Sequence, residues 1–215
     1  MQKKTYAVLG LGRYGTAVAK ELVKNGADVI AVDKNEQIVQ DSSVYLPICK
    51  CADITDPEVI SELGISNADV VIVAMASSLE GSILAITLCK EAGVKTVIAK
   101  CANETHRKIL KRVGADTVVF PENESGTRLA KNLLTSGFTD VLTLSDDLSL
   151  VELAARDEWV GKSLKELNLR KKYTVNVVAF RKNGKITAPV NPEELLDKDT
   201  EVIAIVNTAK LSKLK

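Results

Sequence analysis

Short runs of apolar, β-branched residues alternate with helix-like segments through the first 120 residues of the chain. This alternation restricts the fold strongly, because each helix must return the chain to the start of a new strand parallel to the previous one. Helices then cover both faces of the sheet. We therefore predict an α/β fold, a Rossmann-like doubly wound parallel sheet of about six strands. The strands are predicted at Tyr6–Leu9, Asp28–Val32, Leu46–Cys49, Val70–Ala74, Thr96–Ala99 and Thr117–Phe120.

Three of the intervening helices are followed by glycine. Asn25-Gly26, Ala92-Gly93 and Val113-Gly114 each place glycine where a helix should stop and the next strand begin. Glycine suits this position because it adopts the left-handed backbone conformation without a steric cost. The helices are predicted at Tyr14–Asn25, near Glu36, and at Pro57–Leu63, Leu79–Ala92 and Glu104–Val113.

The pattern changes after Phe120. A helix at Glu124–Leu134 leads into a stretch rich in Ser, Thr, Asp and Gly, which predicts a linker. Asn183-Gly184 between alternating residues predicts a hairpin. We expect a Rossmann-like domain at 1–122, a crossover helix and linker at 123–147, and a small α+β module at 148–215. Within the module, strands are predicted at Leu148–Ala154, Tyr173–Phe180 and Glu201–Val206, and a short helix at Ser163–Leu167.

The composition excludes several classes of protein. Hydrophobic residues make up 46% and charged residues 27% of the 215 residues, as in ordinary globular domains. A net charge of +1 with interspersed signs gives no reason to expect nucleic acid or an anionic membrane as a partner. The longest apolar run, Val70–Ala76, is seven residues, far short of the roughly 20 that span a bilayer. No signal-peptide pattern opens the chain, so we expect a cytoplasmic protein, and any membrane role would have to come through a partner.

Few side chains suggest catalysis or metal binding. Cys49, Cys51, Cys89 and Cys101 lack the spacing of a metal site, and we expect them to be small core or strand residues. The single histidine, His106, has no second histidine or paired carboxylates near it in the sequence. Without a nucleophile and base, or a histidine with a carboxylate partner, the chain is expected to bind ligands and not to be an enzyme.

A glycine loop follows the first strand. Gly10, Gly12 and Gly15 form a GxGxxG pattern that follows a strand and opens a helix. The first glycine allows a tight turn, the second lets phosphate approach the backbone, and the third permits close helix packing. Asp33, at the end of the second strand, is placed to accept hydrogen bonds from a ribose. Its charge disfavours a 2′-phosphate, although Lys34 beside it weakens that argument.

Further contacts follow from the topology, because ligands lie across the carboxyl ends of parallel strands. Two of the candidates have an alternative role, since Asp53 and Ser78 could simply cap the following turn or helix. Glu122 could likewise be an ordinary loop carboxylate. The candidates are Ala52 and Asp53 after the third strand, Ala76, Ser77 and Ser78 after the fourth, Lys100 after the fifth and Glu122 after the sixth.

Arg13 lies between the second and third glycines. A pyrophosphate is already served by backbone donors, so a guanidinium on this loop suits a terminal phosphate or one held by a neighbouring subunit. The alternative is an arginine that points into water. Tyr14, the next residue, is included among the candidate contacts.

Several segments together resemble a known family. "AVLGLGRYG", "VIAVDKN", "CADITD", "VVIVAMASS", "VIAKCANETHRKILKRVGAD" and "VFPENESG" occur in order, followed by "WVGKSLKELNLRKKYTVNVVAFRKNGK" and "LLDKDTEVIAIV". The chain resembles the RCK (regulator of potassium conductance) proteins over nearly all its length, most closely the cytosolic subunits of the Ktr and Trk bacterial potassium uptake systems.

The resemblance implies a regulatory role beside the inner face of the cell membrane. RCK subunits form homodimers that assemble into a homo-octameric gating ring, which docks on a membrane-embedded potassium-translocating subunit. ATP and ADP bound in the first domain would favour different ring shapes, which is a population shift between two states. The crossover helix at Glu124–Leu134 would exchange between subunits.

The resemblance also assigns residues. The family's glycine loop falls on Gly10, Gly12 and Gly15, its ribose-binding acid on Asp33 and its phosphate-reaching arginine on Arg13. The Ktr-type glutamate near paired nucleotide sites falls on Glu122, where Mg²⁺ or another cation would bridge phosphates.

A second ligand is also implied. Some family members bind cyclic di-AMP between paired C-terminal modules, and the accompanying pattern is present here as Arg170, Tyr173 and Asn176, followed by Val177 and Val178. Thr174 departs from the frequent glycine at its position. The alternative is an ordinary strand entering the module's core.

Three other interpretations remain open at the level of sequence. NAD(H) could replace ATP and ADP as the nucleotide. The ring could serve a potassium channel or an antiporter instead of an uptake system. A nicotinamide-dependent oxidoreductase is favoured only by the Rossmann pattern, since no proton donor supports it.

Overall fold

The computed structural model describes residues 4–134 and 139–209. The chain divides into two compact units, residues 1–122 and residues 123–215. Among the described residues, no helix combines the length and the apolar character that crossing a bilayer requires. Residues 135–138 of the predicted linker lie outside the described residues.

The first unit alternates strands with helices, as the sequence predicts. The boundaries agree within a few residues, and the largest difference is in the third strand, which begins two residues later than expected. The strands are β1 (Thr5–Leu9), β2 (Asp28–Asp33), β3 (Ile48–Cys51), β4 (Val70–Val73), β5 (Thr96–Lys100) and β6 (Thr117–Val119). The helices are α1 (Arg13–Lys24), α2 (Glu36–Ser43), α3 (Pro57–Glu62), α4 (Leu79–Glu91) and α5 (Glu104–Val113).

The six strands form one parallel sheet in the order β3-β2-β1-β4-β5-β6. This is the order of the doubly wound Rossmann fold, so the predicted fold class is confirmed. Ala7, Val8 and Leu9 on β1 are fully buried, and they pack into two different clusters of apolar side chains. A central strand covered on both faces requires such a continuous apolar run.

The predicted helix ends are confirmed. Gly26, Gly93 and Gly114 follow α1, α4 and α5 with φ of +80°, +83° and +123°. A side chain at these φ values would be strained, which explains why glycine stands at all three positions.

Asp116 joins the start of β6 to β5. One carboxylate oxygen accepts hydrogen bonds from the Val97 N–H and from Lys90 Nζ, each at 2.6 Å. These two bonds hold the pKa of Asp116 below its usual value, and the bond from Lys90 has the larger effect. The Asp116 N–H in turn donates to the Val97 carbonyl at 2.9 Å.

We expect Asp116→Asn to lower the free energy of unfolding by about 1 kcal/mol at pH 7, a value reduced because the carboxylate is partly exposed. The lowered native pKa means that the ionised carboxylate stabilises the fold above the unfolded-state pKa of about 3.9, and this stabilisation is lost as the pH falls through the native pKa. Urea titrations at pH 7 and below pH 3 measure the difference. A gap between wild type and variant that persists at low pH would contradict this account.

The second unit contains an antiparallel sheet and short helices. Its strand order is β10-β9-β11-β8-β7, and all four pairs are antiparallel. Trp159, Phe180 and Val202 are buried in its apolar cluster. α6 (Pro121–Leu134) begins in the last two residues of the first unit and continues into the second. The other elements of the second unit are β7 (Asp140–Thr143), β8 (Leu148–Ala154), α7 (Leu164–Leu167), α8 (Leu169–Tyr173), β9 (Asn176–Lys182), β10 (Lys185–Thr187) and β11 (Glu201–Asn207).

Part of the predicted linker is a strand. β7 pairs with β8 from Asp140↔Glu152 to Thr143↔Ser149. Only Val141 of β7 is buried. Because the other positions of this edge strand need not be apolar, its sequence resembles that of a polar loop. The Asn132 side chain on α6 accepts a hydrogen bond from the Val141 N–H at 3.0 Å.

Two further boundaries differ from prediction. α6 begins at Pro121 and not at Glu124, because proline is favoured in the first turn of a helix, where its missing N–H costs nothing. Tyr173 ends α8 instead of opening a strand. Thr174 then adopts a left-handed conformation with φ of +59°, and the strand starts only at Asn176.

The predicted hairpin is confirmed. Lys182 pairs with Lys185, which leaves Asn183 and Gly184 as a two-residue loop between β9 and β10. Their φ values are +50° and +75°. Two consecutive positive φ angles are the signature of a type I′ turn, for which Asn-Gly is the favoured pair.

Candidate functional site

The glycine loop connects β1 to α1 in a tight turn. Gly10 has a φ of +95°, and its N–H donates to the Val32 carbonyl at 2.8 Å. A Cβ on Gly15 would lie 1.9 Å from the Gly10 carbonyl oxygen, so the first turn of α1 packs directly on the loop. A Cβ on Gly12 would meet nothing within 4 Å. The middle glycine therefore borders open space into which a ligand can come close to the backbone.

The start of α1 differs from the starts of its neighbours. Side chains of Asn35, Asp56, Ser78 and Asn103 accept a backbone N–H at the beginning of α2, α3, α4 and α5. Among the described residues, no side chain caps α1, whose N-cap is Gly12. The first N–H groups of a helix carry partial positive charge and need acceptors. This helix start can therefore hold an anion such as phosphate.

Asp33 connects the second strand to the glycine loop. One carboxylate oxygen accepts the Leu11 N–H at 2.7 Å, and the other accepts the Asn35 N–H at 2.9 Å. An ionised carboxylate can accept about four hydrogen bonds, so Asp33 retains capacity for the hydroxyls of a ribose.

A cleft of about 530 Å³ lies at the carboxyl edge of the sheet, where the strand order reverses between β1 and β4. The reversal separates the loops after these two strands and leaves room for a ligand. The residues that line the cleft include ten that the sequence predicts, namely Gly10, Gly12, Asp33, Lys34, Ala52, Asp53, Ala76, Ser77, Ser78 and Lys100.

Asp53 and Ser78 also have the local roles that the sequence left open. Asp53 accepts the Thr55 N–H at 3.0 Å and the Thr55 hydroxyl at 2.7 Å, and these bonds lower the pKa of its carboxyl. Ser78 caps α4 by accepting the Gly81 N–H at 3.0 Å. Both residues line the cleft while they fix the loops on which they lie.

Arg13, Tyr14, Gly15 and Glu122 lie outside the lining of the cleft. Glu122 forms an ion pair with Lys100, whose Nζ is 2.6 Å from Glu122 Oε1. The hydrogen bond from Lys100 holds the pKa of Glu122 below its usual value, and the nearby charge of Arg13 lowers it further. Lys100 Nζ also lies 5.7 Å from the centre of the Tyr14 ring. The structure therefore brings Arg13, Tyr14 and Glu122 together around Lys100, whereas Gly15 is buried where α1 packs on the glycine loop.

The sequence did not predict nine of the residues that line the cleft, and three of them are large apolar residues on helices or beside the sheet edge. Ile38 and Leu84 contribute apolar side chains from α2 and α4, and Met75 directly follows the residue after β4. Ile38 lies three residues after the N-cap Asn35, and Leu84 six residues after the N-cap Ser78. Helical periodicity could have placed Ile38 on the cleft side, whereas the spacing of six residues to Leu84 gives no such signal.

The cysteines occupy core and strand positions, as expected. Cys89 and Cys101 are fully buried, and burial raises the pKa of the Cys89 thiol to about 12. Cys49 and Cys51 lie on β3. His106 lies in the first turn of α5, where its N–H donates to the Asn103 side chain at 2.9 Å.

The predicted second-ligand residues lie at the junction of α8 and β9. Arg170 and Asn176 are exposed, and Tyr173 is half-buried. The Arg156 guanidinium lies 5.7 Å from the centre of the Tyr173 ring and 5.1 Å from that of Trp159.

A bulge follows in β9. Ala179 pairs with Ile203 and Val177 with Ala204, which leaves Val178 as the extra residue. A bulge redirects side chains locally, and here it lies within the predicted site.

Comparison with known proteins identifies the family. A family model described as the TrkA-N domain matches residues 6–121, and one described as the TrkA-C domain matches residues 148–215. Ktr system potassium uptake protein C of Bacillus subtilis is 34% identical over 213 residues, which cover 99% of this chain and 96% of that protein. Ktr system potassium uptake protein A of the same organism is 35% identical over 196 residues, 91% of this chain and 88% of that protein.

Solved structures show the same fold. The GsuK channel superposes with a TM-score of 0.72 at 16% identity, and the match covers 99% of this chain and 39% of the channel chain. The similarity between this chain and the GsuK channel concerns the fold alone, whereas the family models and the Ktr proteins establish the family. The chain therefore belongs to the TrkA family, with a TrkA-N domain followed by a TrkA-C domain.

Proposed function

We propose that this protein is the nucleotide-sensing regulatory subunit of a membrane-embedded potassium transporter of the Ktr or Trk type, and that it acts by binding and not by catalysis. The observation that carries the proposal is the cleft at β1 and β4, where an uncapped α1 and Asp33 offer sites for phosphate and ribose. The 34% sequence identity to a Ktr potassium uptake protein over nearly the whole chain supports a potassium transporter as the partner.

ATP and ADP are the proposed ligands. A terminal phosphate is what distinguishes them, and the exposed Arg13 guanidinium at the first residue of α1 is suited to bind it. NAD(H) is the alternative, because its adenosine and pyrophosphate would use the same loop. A nucleotide with different affinities for two conformations shifts the population between them.

A cation is proposed at Glu122. Mg²⁺ is commonly bound through one or two carboxylates together with substrate phosphates. Glu122 is a well-exposed carboxylate close to Arg13 and to Lys100, which lines the cleft. It would hold Mg²⁺ or another cation only with the phosphates as further ligands.

The proposed assembly is a homodimer that builds a homo-octameric ring on the transporter at the inner face of the membrane. Leu129, Leu133 and Leu134 on α6 expose 60%, 76% and 81% of their surface. Large apolar side chains grouped on one helix favour contact with another protein surface, which supports a crossover helix covered by a second subunit.

Isothermal titration with ATP, ADP and NADH, with and without Mg²⁺, tests the proposal. We expect tight binding of ATP and ADP and weaker binding of NADH. Preference for NADH would favour the nicotinamide alternative, and turnover of NADH with a small carbonyl compound would support an oxidoreductase. Co-purification with the membrane partner would distinguish an uptake system from a channel or an antiporter.

Cyclic di-AMP is the proposed second ligand, at the α8–β9 junction of paired C-terminal modules. The support is the exposure of Arg170 and Asn176 on either side of the half-buried Tyr173 ring. Arginine suits a phosphate, while an asparagine side chain and an aromatic ring suit an adenine.

We expect Asn176→Ala to weaken cyclic di-AMP binding at least about tenfold, because one lost hydrogen bond in a ligand site costs about 1.5 kcal/mol. ATP affinity should not change, since Asn176 belongs to the other unit. Titration of both ligands into wild type and variant provides the measurement. Unchanged cyclic di-AMP binding would remove Asn176 from the site.

A further inference from the structure

Lys100 belongs both to the cleft and to an ion pair at the cleft's border. Lys100 lines the cleft together with Gly10 and Gly12 of the glycine loop. Its Nζ lies 2.6 Å from Glu122 Oε1, and its side chain is only 14% exposed, whereas that of Glu122 is 64% exposed. A cation on a largely buried side chain depends on a carboxylate partner more than an exposed carboxylate depends on the cation.

A phosphate at the start of α1 would compete for this ammonium. The uncapped N-terminus of α1 places the proposed phosphate beside Gly12, and Lys100 lines the same cleft. A nucleoside triphosphate carries several negative charges, while Glu122 carries one. Electrostatic attraction therefore favours transfer of the ammonium from the carboxylate to the phosphates, provided that the ion pair opens.

We propose that Lys100 exchanges Glu122 for a nucleotide phosphate on binding, so that nucleotide entry releases the Glu122 carboxylate. The inference rests on the proposed nucleotide function and adds the step that links the two charged groups. Lys100 is thus a positioning residue, because it holds Glu122 in place without ligand and frees it with ligand.

The exchange has a consequence for the cation. While Lys100 occupies Glu122, a cation must displace an ammonium to bind there. Once phosphates hold Lys100, Glu122 becomes an unpaired carboxylate next to further negative charge, which is an environment that attracts a cation. Cation affinity and nucleotide affinity then rise together, as linkage between two sites requires.

A double-mutant cycle tests the exchange without a cation. ATP affinity is measured by isothermal titration in EDTA for wild type, Glu122→Gln, Lys100→Met and the double variant. Glu122→Gln removes the competitor for Lys100 and some repulsion, and we expect ATP to bind about tenfold more tightly. In the Lys100→Met background only the repulsion is relieved, and we expect at most about a threefold gain.

Lys34→Met is the matched control, because Lys34 lines the same cleft but lies near Asp53. Glu122→Gln should increase ATP affinity about tenfold in that background as well. Equal gains with and without Lys100 would overturn the exchange while leaving ATP binding intact. Absence of ATP binding in wild type would instead overturn the nucleotide proposal and the exchange with it. Thermal unfolding of each variant verifies that the fold is retained.

Discussion

Gly15→Ala should lower the free energy of unfolding by about 2–3 kcal/mol and remove nucleotide binding, whereas Gly12→Ala should leave stability within about 1 kcal/mol of wild type. A Cβ on Gly15 would lie 1.9 Å from the Gly10 carbonyl oxygen, and backbone must move to admit it. The gain in helix propensity from alanine offsets only about 1 kcal/mol of this cost.

Gly12→Ala should nevertheless weaken ATP binding at least about tenfold. Gly12 has φ of −64° and ψ of −177°, which alanine adopts freely, and its new methyl group meets no protein atom within 4 Å. The methyl group would instead occupy the space through which phosphate reaches the start of α1. Urea denaturation and isothermal titration on both variants give the comparison. Wild-type ATP affinity in Gly12→Ala would show that phosphate does not approach there, and wild-type stability in Gly15→Ala would show that the loop adapts.

The second large effect is expected at Arg13. Arg13→Ala should reduce ATP affinity about 30-fold to 100-fold, which corresponds to roughly 2–3 kcal/mol for charge-assisted hydrogen bonds to one phosphate. ADP affinity should fall less than about threefold, because ADP has no phosphate at that distance from the loop. The ratio of the two affinities, measured by isothermal titration in Mg²⁺, is the quantity of interest.

Lys24→Ala serves as the control for Arg13. Lys24 is an exposed cation at the opposite end of α1, where it pairs with Glu21 at 3.6 Å. Its loss changes the net charge equally, so the ATP to ADP ratio should stay that of wild type. Equal weakening of ATP and ADP in Arg13→Ala would remove the guanidinium from the terminal phosphate.

The sequence predicts the sheet well because buried parallel strands need continuous apolar runs, and Val70–Val73 is such a run. It predicts β7 poorly because an edge strand buries one residue, Val141, and otherwise looks polar. The sequence predicts a strand from Tyr173, whereas Tyr173 ends α8. Thr174, with its left-handed conformation, separates the end of α8 from the start of β9.

The position of the candidate site residues on strand ends could be predicted, since the topology brings those ends together. The glycine loop, Asp33 and Lys100 follow from that rule. The ion pair between Lys100 and Glu122 could not be predicted, because it depends on how the side chains of two adjacent loops turn. Ile38 and Leu84 line the cleft from helices. Their apolar character alone does not distinguish a residue that lines a ligand cleft from an ordinary core residue.

The hydrogen bond from the Leu11 N–H to Asp33 ties the glycine loop to the end of β2, so the protein's own contacts hold the loop in place. A preorganised loop costs little ordering entropy on binding, so affinity is not spent on folding the site. The carboxylate proposed to bind a ribose would also hold the loop beneath the phosphates, and the ribose and the phosphates of the nucleotide would be bound by one rigid unit. Such a receptor can release one nucleotide and accept another without rebuilding itself, so its occupancy would follow the ratio of nucleotide concentrations around it.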